Sequence, residues 1–141
     1  MLPELVEGGR TVSGNVVAEV VMAQVEEIEE ILDFWFGSPQ SDFYGTSRKV
    51  WFIKDPTFDQ EVQTRFQKTY EQAAAGALES WTVSAQGSLA LAILLDQFPR
   101  NLFRGTPQAF ATDAQALVGA EGAIARHFDQ ALLPVQRWFL Y

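Results

Sequence analysis

The run SLALAILL, Ser88 to Leu95, leads without a break into DQFPRNLFRG, Asp96 to Gly105. This junction constrains the chain more than any other stretch. Leu89 to Leu95 is apolar nearly all round, and a helix without a polar face has to be buried. The residues that follow crowd an acid, two amides and two arginines around a proline. A buried helix therefore delivers polar groups to one place. Pro99 lacks an N–H, its ring opposes the carbonyl four residues back, and Phe98 before it is steered away from helical angles. The reading is a central helix from about Ser84 or Gln86 to Phe98, with the chain leaving the core over Asp96–Asn101.

The flanking segments read as further helices. Val25, Ile28, Ile31, Leu32 and Trp35 recur at helical spacing from Gln24 onward, with Glu26, Glu27, Glu29 and Glu30 on the other face. Gly37 and Pro39 end that helix. Asp55 is placed as an N-cap with Pro56 in the first turn, followed by the stripe Phe58, Val62, Phe66, Tyr70, Ala73 and Ala74, and Gly76 as the stop. Glu61 and Arg65 form a surface pair one turn apart. Thr106–Pro107 repeats the cap-plus-proline start, for a helix carrying Phe110, Ala114, Leu117, Val118 and Ala120–Ala125. Gly119 and Gly122 either soften it or admit a closely packed neighbour. Ala131 to Tyr141 opens one more helix.

No segment alternates with period two between hairpin turns. The fold class is therefore all-α, built of antiparallel helical hairpins because the connections are short. The pairs suggest a solenoid, without a clear 34-residue repeat. Residues 1–22 stand apart, with Gly8, Gly9 and Gly14 and no helical stripe. They read as an irregular leader, with Met22 as an alternative start, and 23–141 as the helical domain.

Composition removes several function classes. The 141 residues carry a net charge of -8, which speaks against a nucleic-acid partner. There is no cysteine, so no disulfide or thiolate metal site, and a reducing cytoplasmic setting fits. One histidine, His127, does not build a metal site. No apolar run reaches the ~20 residues of a membrane helix, and the N-terminus has no basic stretch before an apolar one. Four Trp, eleven Phe and three Tyr point to a core built on rings. The chain has no phosphate-binding glycine loop, no nucleophile elbow and no HExxH, and no cofactor is expected.

The candidate site is the polar cluster Asp96, Gln97, Arg100, Asn101 and Arg104, with Asp33 and Asp113 as further acids. Arginine forks suit carboxylate or phosphate. Two readings stand side by side. In one the cluster lines a pocket for a small anionic ligand or a peptide terminus. In the other Arg100 caps the end of the buried helix and pairs with Asp96 or Asp33, since helix ends leave carbonyls without partners. Asp33, inside DFWF, is expected to pair with an arginine, because burying it alone is costly. Asp113 faces Arg104 or solvent. His127 is read as a helix-end residue, and Trp51, Trp81 and Trp138 as core.

ILDFWFG, KVWF followed by DPTFD, and LALAILLDQFPRNLFRGTPQAFATDAQAL, in this order from about Ile31 to Tyr141, resemble the bacterial family called domain of unknown function 924. The resemblance implies a helical fold similar to tetratricopeptide-repeat superhelices, and no established activity. Its signature falls here on Asp33, Trp35, Phe36, Trp51, Phe52, Asp59, Trp81, Asp96, Gln97, Phe98, Pro99, Arg100, Asn101, Arg104, Phe110 and Asp113. It also implies that family sequences run on past the RWFLY segment into a Pro-x-x-His-Ser-Glu stretch and more helices. The expectation is then an incomplete helical domain whose last helix exposes an apolar face for self-association. The leading functional reading is a helical binding module for a peptide or small ligand at Asp96–Arg104. The alternative is an enzyme, hydrolytic in one version, with its pocket at the same cluster.

Overall fold

A computed structural model describes residues 5–7, 10–12 and 14–141, with side chains from Val16 onward. The fold is all-α. A short antiparallel ribbon, β1 (Leu5–Glu7) against β2 (Arg10–Val12), precedes the helices. Helix α1 spans Gly14–Phe36, so it begins well before Gln24. The irregular reading of the leader is thus corrected over Gly14–Met22. The rest of that segment outside the ribbon lies beyond the described residues. The physical reason is that hydrophobic periodicity reports burial, not helicity. Val16, Val20, Val21, Met22 and Val25 are all exposed, so this half of α1 has no core-facing stripe to read.

The lower half of α1 is buried through Ile28, Ile31, Trp35 and Phe36. Gly37 ends it in the left-handed region, φ 88°, its N–H reaching the Asp33 carbonyl at 2.9 Å. The terminal carbonyls of α1 are closed from the next loop. Arg48 Nη1 donates to the Phe34 and Trp35 carbonyls at 2.9 and 2.8 Å, and Trp51 Nε1 to Trp35 at 3.0 Å. Helix α2, Pro56–Ala74, starts as the sequence indicated: the Asp55 carboxylate accepts from the Thr57 and Phe58 N–H groups at 3.0 and 3.1 Å. Phe58, Val62, Phe66, Tyr70 and Ala73 are its buried face, while Ala74 is exposed.

Helix α3, Ala85–Ala92, is capped by the Ser84 hydroxyl, which accepts from Gly87 N–H at 3.0 Å. It packs between α1 and α5 (Asp113–Ala125) and is buried on almost every side, as its sequence required. Its continuation corrects the expected exit at Pro99. The chain stays helical, passing through one π-turn, Ile93–Gln97, into the short α4, Phe98–Leu102. Phe98 keeps helical angles, φ -60° and ψ -35°, and its N–H reaches back five residues to Ile93. Proline cannot donate, and in a regular helix its ring would strike the Leu95 carbonyl. The wider turn relieves that conflict. The Leu95 carbonyl is then taken by the buried Thr112 hydroxyl at 2.6 Å. The Pro99 conflict is thus resolved within the helix and not by ending it.

Pro107–Phe110 forms a 3-10 turn only, and α5 starts at Asp113, later than Thr106 suggested. Phe110 is exposed. A methyl group on Gly119 or Gly122 would meet nothing within 4 Å, so neither residue serves close packing. His127 terminates α5 in a left-handed conformation, φ 62°. The final segment is a single turn, α6 (Pro134–Arg137), rather than an extended helix. Leu132, Val135 and Leu140 are buried; Trp138 is exposed, against expectation, and Tyr141 is exposed as well.

Rings hold the centre together. Phe34 stacks on Phe58 at 4.7 Å, Phe66 on Phe98 at 5.0 Å and Trp35 on Trp51 at 6.0 Å. Such pairs contribute roughly 0.5–1.5 kcal/mol each beyond burial. Arg65 lies over Phe34 and Phe66 and bonds Glu30 at 3.1 Å, tying α2 to α1. Its pair with Glu61 is longer, at 4.0 Å.

Candidate functional site

The π-turn and α4 present the polar cluster over little more than two turns, so its members diverge around the helix axis. Asn101 and Arg104 turn toward α2. Asn101 donates to Asp59 at 2.7 Å, and Arg104 grips the same carboxylate through two nitrogens at 2.8 and 2.9 Å. Asp59 is 16% exposed. Burial works against its charge, but the hydrogen bonds from Arg104 and Asn101 and the positive charges of Arg104 and Lys54 hold its pKa below the usual carboxylate value. The same contact raises the pKa of Arg104. Asp59 was left out of the site read from sequence. Its one local signal is an acid in the first turn of α2, which suits the helix dipole equally well.

Arg100 turns the other way. It meets Asp96 at 3.3 Å and Asp113 at 3.8 Å, and lies over the Phe110 ring. Asp113 therefore faces Arg100, neither Arg104 nor solvent alone. Gln97 donates to Asp96. Arg100 caps no carbonyl among the described residues; the helix interruption above it is closed by Thr112 instead. The Arg100 Nη1 and Asp113 Oδ1 atoms are both sealed and face each other at a distance too long for a hydrogen bond.

Asp33 does not join the cluster. It forms no ion pair among the described residues, and it lines a separate groove with Glu29. The expected arginine partner is corrected: Arg48, the nearest in sequence, is committed to backbone carbonyls and the Phe43 ring. Partial burial first, and then the charge of Glu29, pushes the Asp33 carboxyl above its usual pKa.

Beside Arg104 the surface opens into a depression of about 100 Å³. Lys54, Gln97, Arg100, Asn101 and Arg104 line it, against a wall of Trp35, Trp51, Phe52 and Ile53. Trp35 is 2% exposed, and its indole N–H finds no acceptor among the described residues. Asp96 and Asp113 lie in a different depression, with Leu117 and Tyr141. The Asp33 groove is larger than either, at about 490 Å³. No group of three or more metal-ligating side chains occurs among the described residues. No helix there is long and apolar enough to cross a membrane.

Fold and site together define a small all-α protein carrying an arginine-rich cluster on an interrupted central helix. The chain belongs to the family of bacterial proteins of unknown function designated DUF924, whose profile matches residues 31–141. The solved structure of a protein of unknown function from Agrobacterium tumefaciens is similar, with a TM-score of 0.73 and 40% sequence identity over 84% of this chain. The chain spans 62% of the length of that relative. No curated protein matches it.

Proposed function

We propose that the chain is a binding module for a small anionic group, a carboxylate such as a peptide C-terminus or a phosphate, at the depression beside Arg104. The observation that carries this reading is the lining: three cationic side chains and two amides around about 100 Å³. That volume suits one carboxylate or phosphate, and guanidinium forks match both. Asp59 takes one edge of Arg104 and orients it, Arg100 is shared with Asp96 and Asp113 on its other side, and Lys54 has no ion-pair partner among the described residues. The cysteine-free composition supports a reducing, cytoplasmic setting.

The enzymatic alternative has less behind it. Its acid, Asp96, is held by Arg100 and Gln97 and lies in another depression, beside Asp113. Titration calorimetry with inorganic phosphate, acetate, and a short peptide with a free or amidated C-terminus tests the proposal. The free carboxylate peptide binds and its amide does not. Arg104→Ala and Arg100→Ala each weaken binding by roughly tenfold or more, the value of one lost charged contact. Equal binding of the free and amidated peptides, or wild-type affinity in both variants, overturns it.

A further inference from the structure

We infer that the groove between the end of α1 and the Leu132–Gln136 segment is a second binding site, taking a primary ammonium group with a carbonyl beside it and an apolar side chain. The N-terminal residue of a peptide and a free amino-acid amide both present that chemistry. The groove holds about 490 Å³, within the range of small-ligand sites and well above the depression beside Arg104. Glu29 and Asp33 stand one turn apart on α1 and both line it. Neither has an ion-pair partner among the described residues. Burial first, and then repulsion from Glu29, raises the pKa of Asp33. A cation between them removes that repulsion. Tyr44 adds an aromatic ring to the lining, which favours an organic cation over a bare metal ion.

The independent observation is Gln136. It is 8% exposed and lines the same groove. Its Oε1 accepts from the Leu133 N–H at 2.9 Å. Its amide nitrogen has no acceptor among the described residues. A donor held in so buried a side chain gains from an acceptor brought in by a ligand. The carbonyl next to an α-ammonium group supplies one. Buried Leu89 and Leu132 form the apolar part of the lining, where an aliphatic side chain loses water. Charge sets this site apart from the first: two acids here, three cations there.

The experiment is calorimetric titration of the full chain with L-leucinamide, N-acetyl-L-leucinamide and the tripeptide Leu-Gly-Gly. Leucinamide binds, and the acetylated compound, which lacks the ammonium, binds at least roughly tenfold more weakly. Tripeptide binding of similar strength identifies a peptide terminus as the source, and leucinamide binding alone identifies a free small amine; both support the site. Glu29→Gln with Asp33→Asn weakens leucinamide by a comparable factor. Both positions are exposed on α1, so the pair leaves the core untouched, as circular dichroism checks. Equal affinity for the free and acetylated compounds, no binding of leucinamide at millimolar concentration, or unchanged affinity in the double variant overturns the proposal.

Discussion

Removing the Asp59 carboxylate tests whether the cluster is also a fastener between α2 and α4. Asp59→Ala cuts three hydrogen bonds, two from Arg104 and one from Asn101, at 2.7 to 2.9 Å. Hydrogen bonds to charged groups contribute about 1.5–3 kcal/mol each when well buried. Arg104 is 38% exposed here, so water compensates much of its loss. The three bonds also share one carboxylate and do not add. The expected cost at neutral pH is about 2 kcal/mol, which for a chain of this length lowers the melting temperature by roughly 6–10 °C. Asp59→Asn keeps the shape and one acceptor and costs about half as much. The pH dependence has a fixed sign. The folded pKa of Asp59 lies below its unfolded value, so its stabilisation is present above the unfolded pKa, near 3.9, and is lost as pH falls through the folded pKa. The gap between wild type and Asp59→Asn therefore closes in acid. Thermal melts at pH 7 and at pH 3 or below read this, and an Asp59→Ala/Arg104→Ala cycle isolates the pair. A shift under about 1 °C, or a coupling under about 0.3 kcal/mol, refutes the reasoning.

Three further outcomes follow from the packing. Thr112→Val strips the donor from the buried Leu95 carbonyl and costs about 1–3 kcal/mol in urea unfolding, without altering ring packing. Gly87→Ala drives a methyl into the Trp81 backbone carbonyl and lowers the melting temperature sharply, whereas Gly119→Ala, with open space in mid-helix, raises stability by about 0.5–1 kcal/mol. Gly37→Ala is strained twice, by φ 88° and by the Ser41 hydroxyl and Phe43 ring in its way; it destabilises by more than about 1 kcal/mol in thermal melts.

The caps and stops were readable because each is a short-range event. Asp55 caps residues two and three positions on, and Gly37 and Gly76 adopt the positive φ that ends a helix. The burial of α3 followed from composition alone. Other features turned on distant partners. Asp59 lies 42 and 45 residues from the side chains that hold it, and Thr112 lies 17 from the carbonyl it closes. Asp33 and Asp96 were both candidates to pair with Arg100, yet Asp96 found that arginine and Asp33 a groove.

By itself the sequence determined an all-α chain, a core of aromatic rings and a buried central helix ending in a crowd of polar groups. Those outcomes depend on local hydrogen bonding and on how much apolar surface must leave water, both of which are written along the chain. Tertiary structure decided the rest. It carried the helix through Pro99 on a π-turn, split the polar cluster between two faces, gave Arg104 to Asp59 and left Asp33 with Glu29 in an open groove. The physical reason is that a charged side chain takes whichever partner the fold brings within about 4 Å, and that partner is set by helix packing rather than by neighbours in sequence.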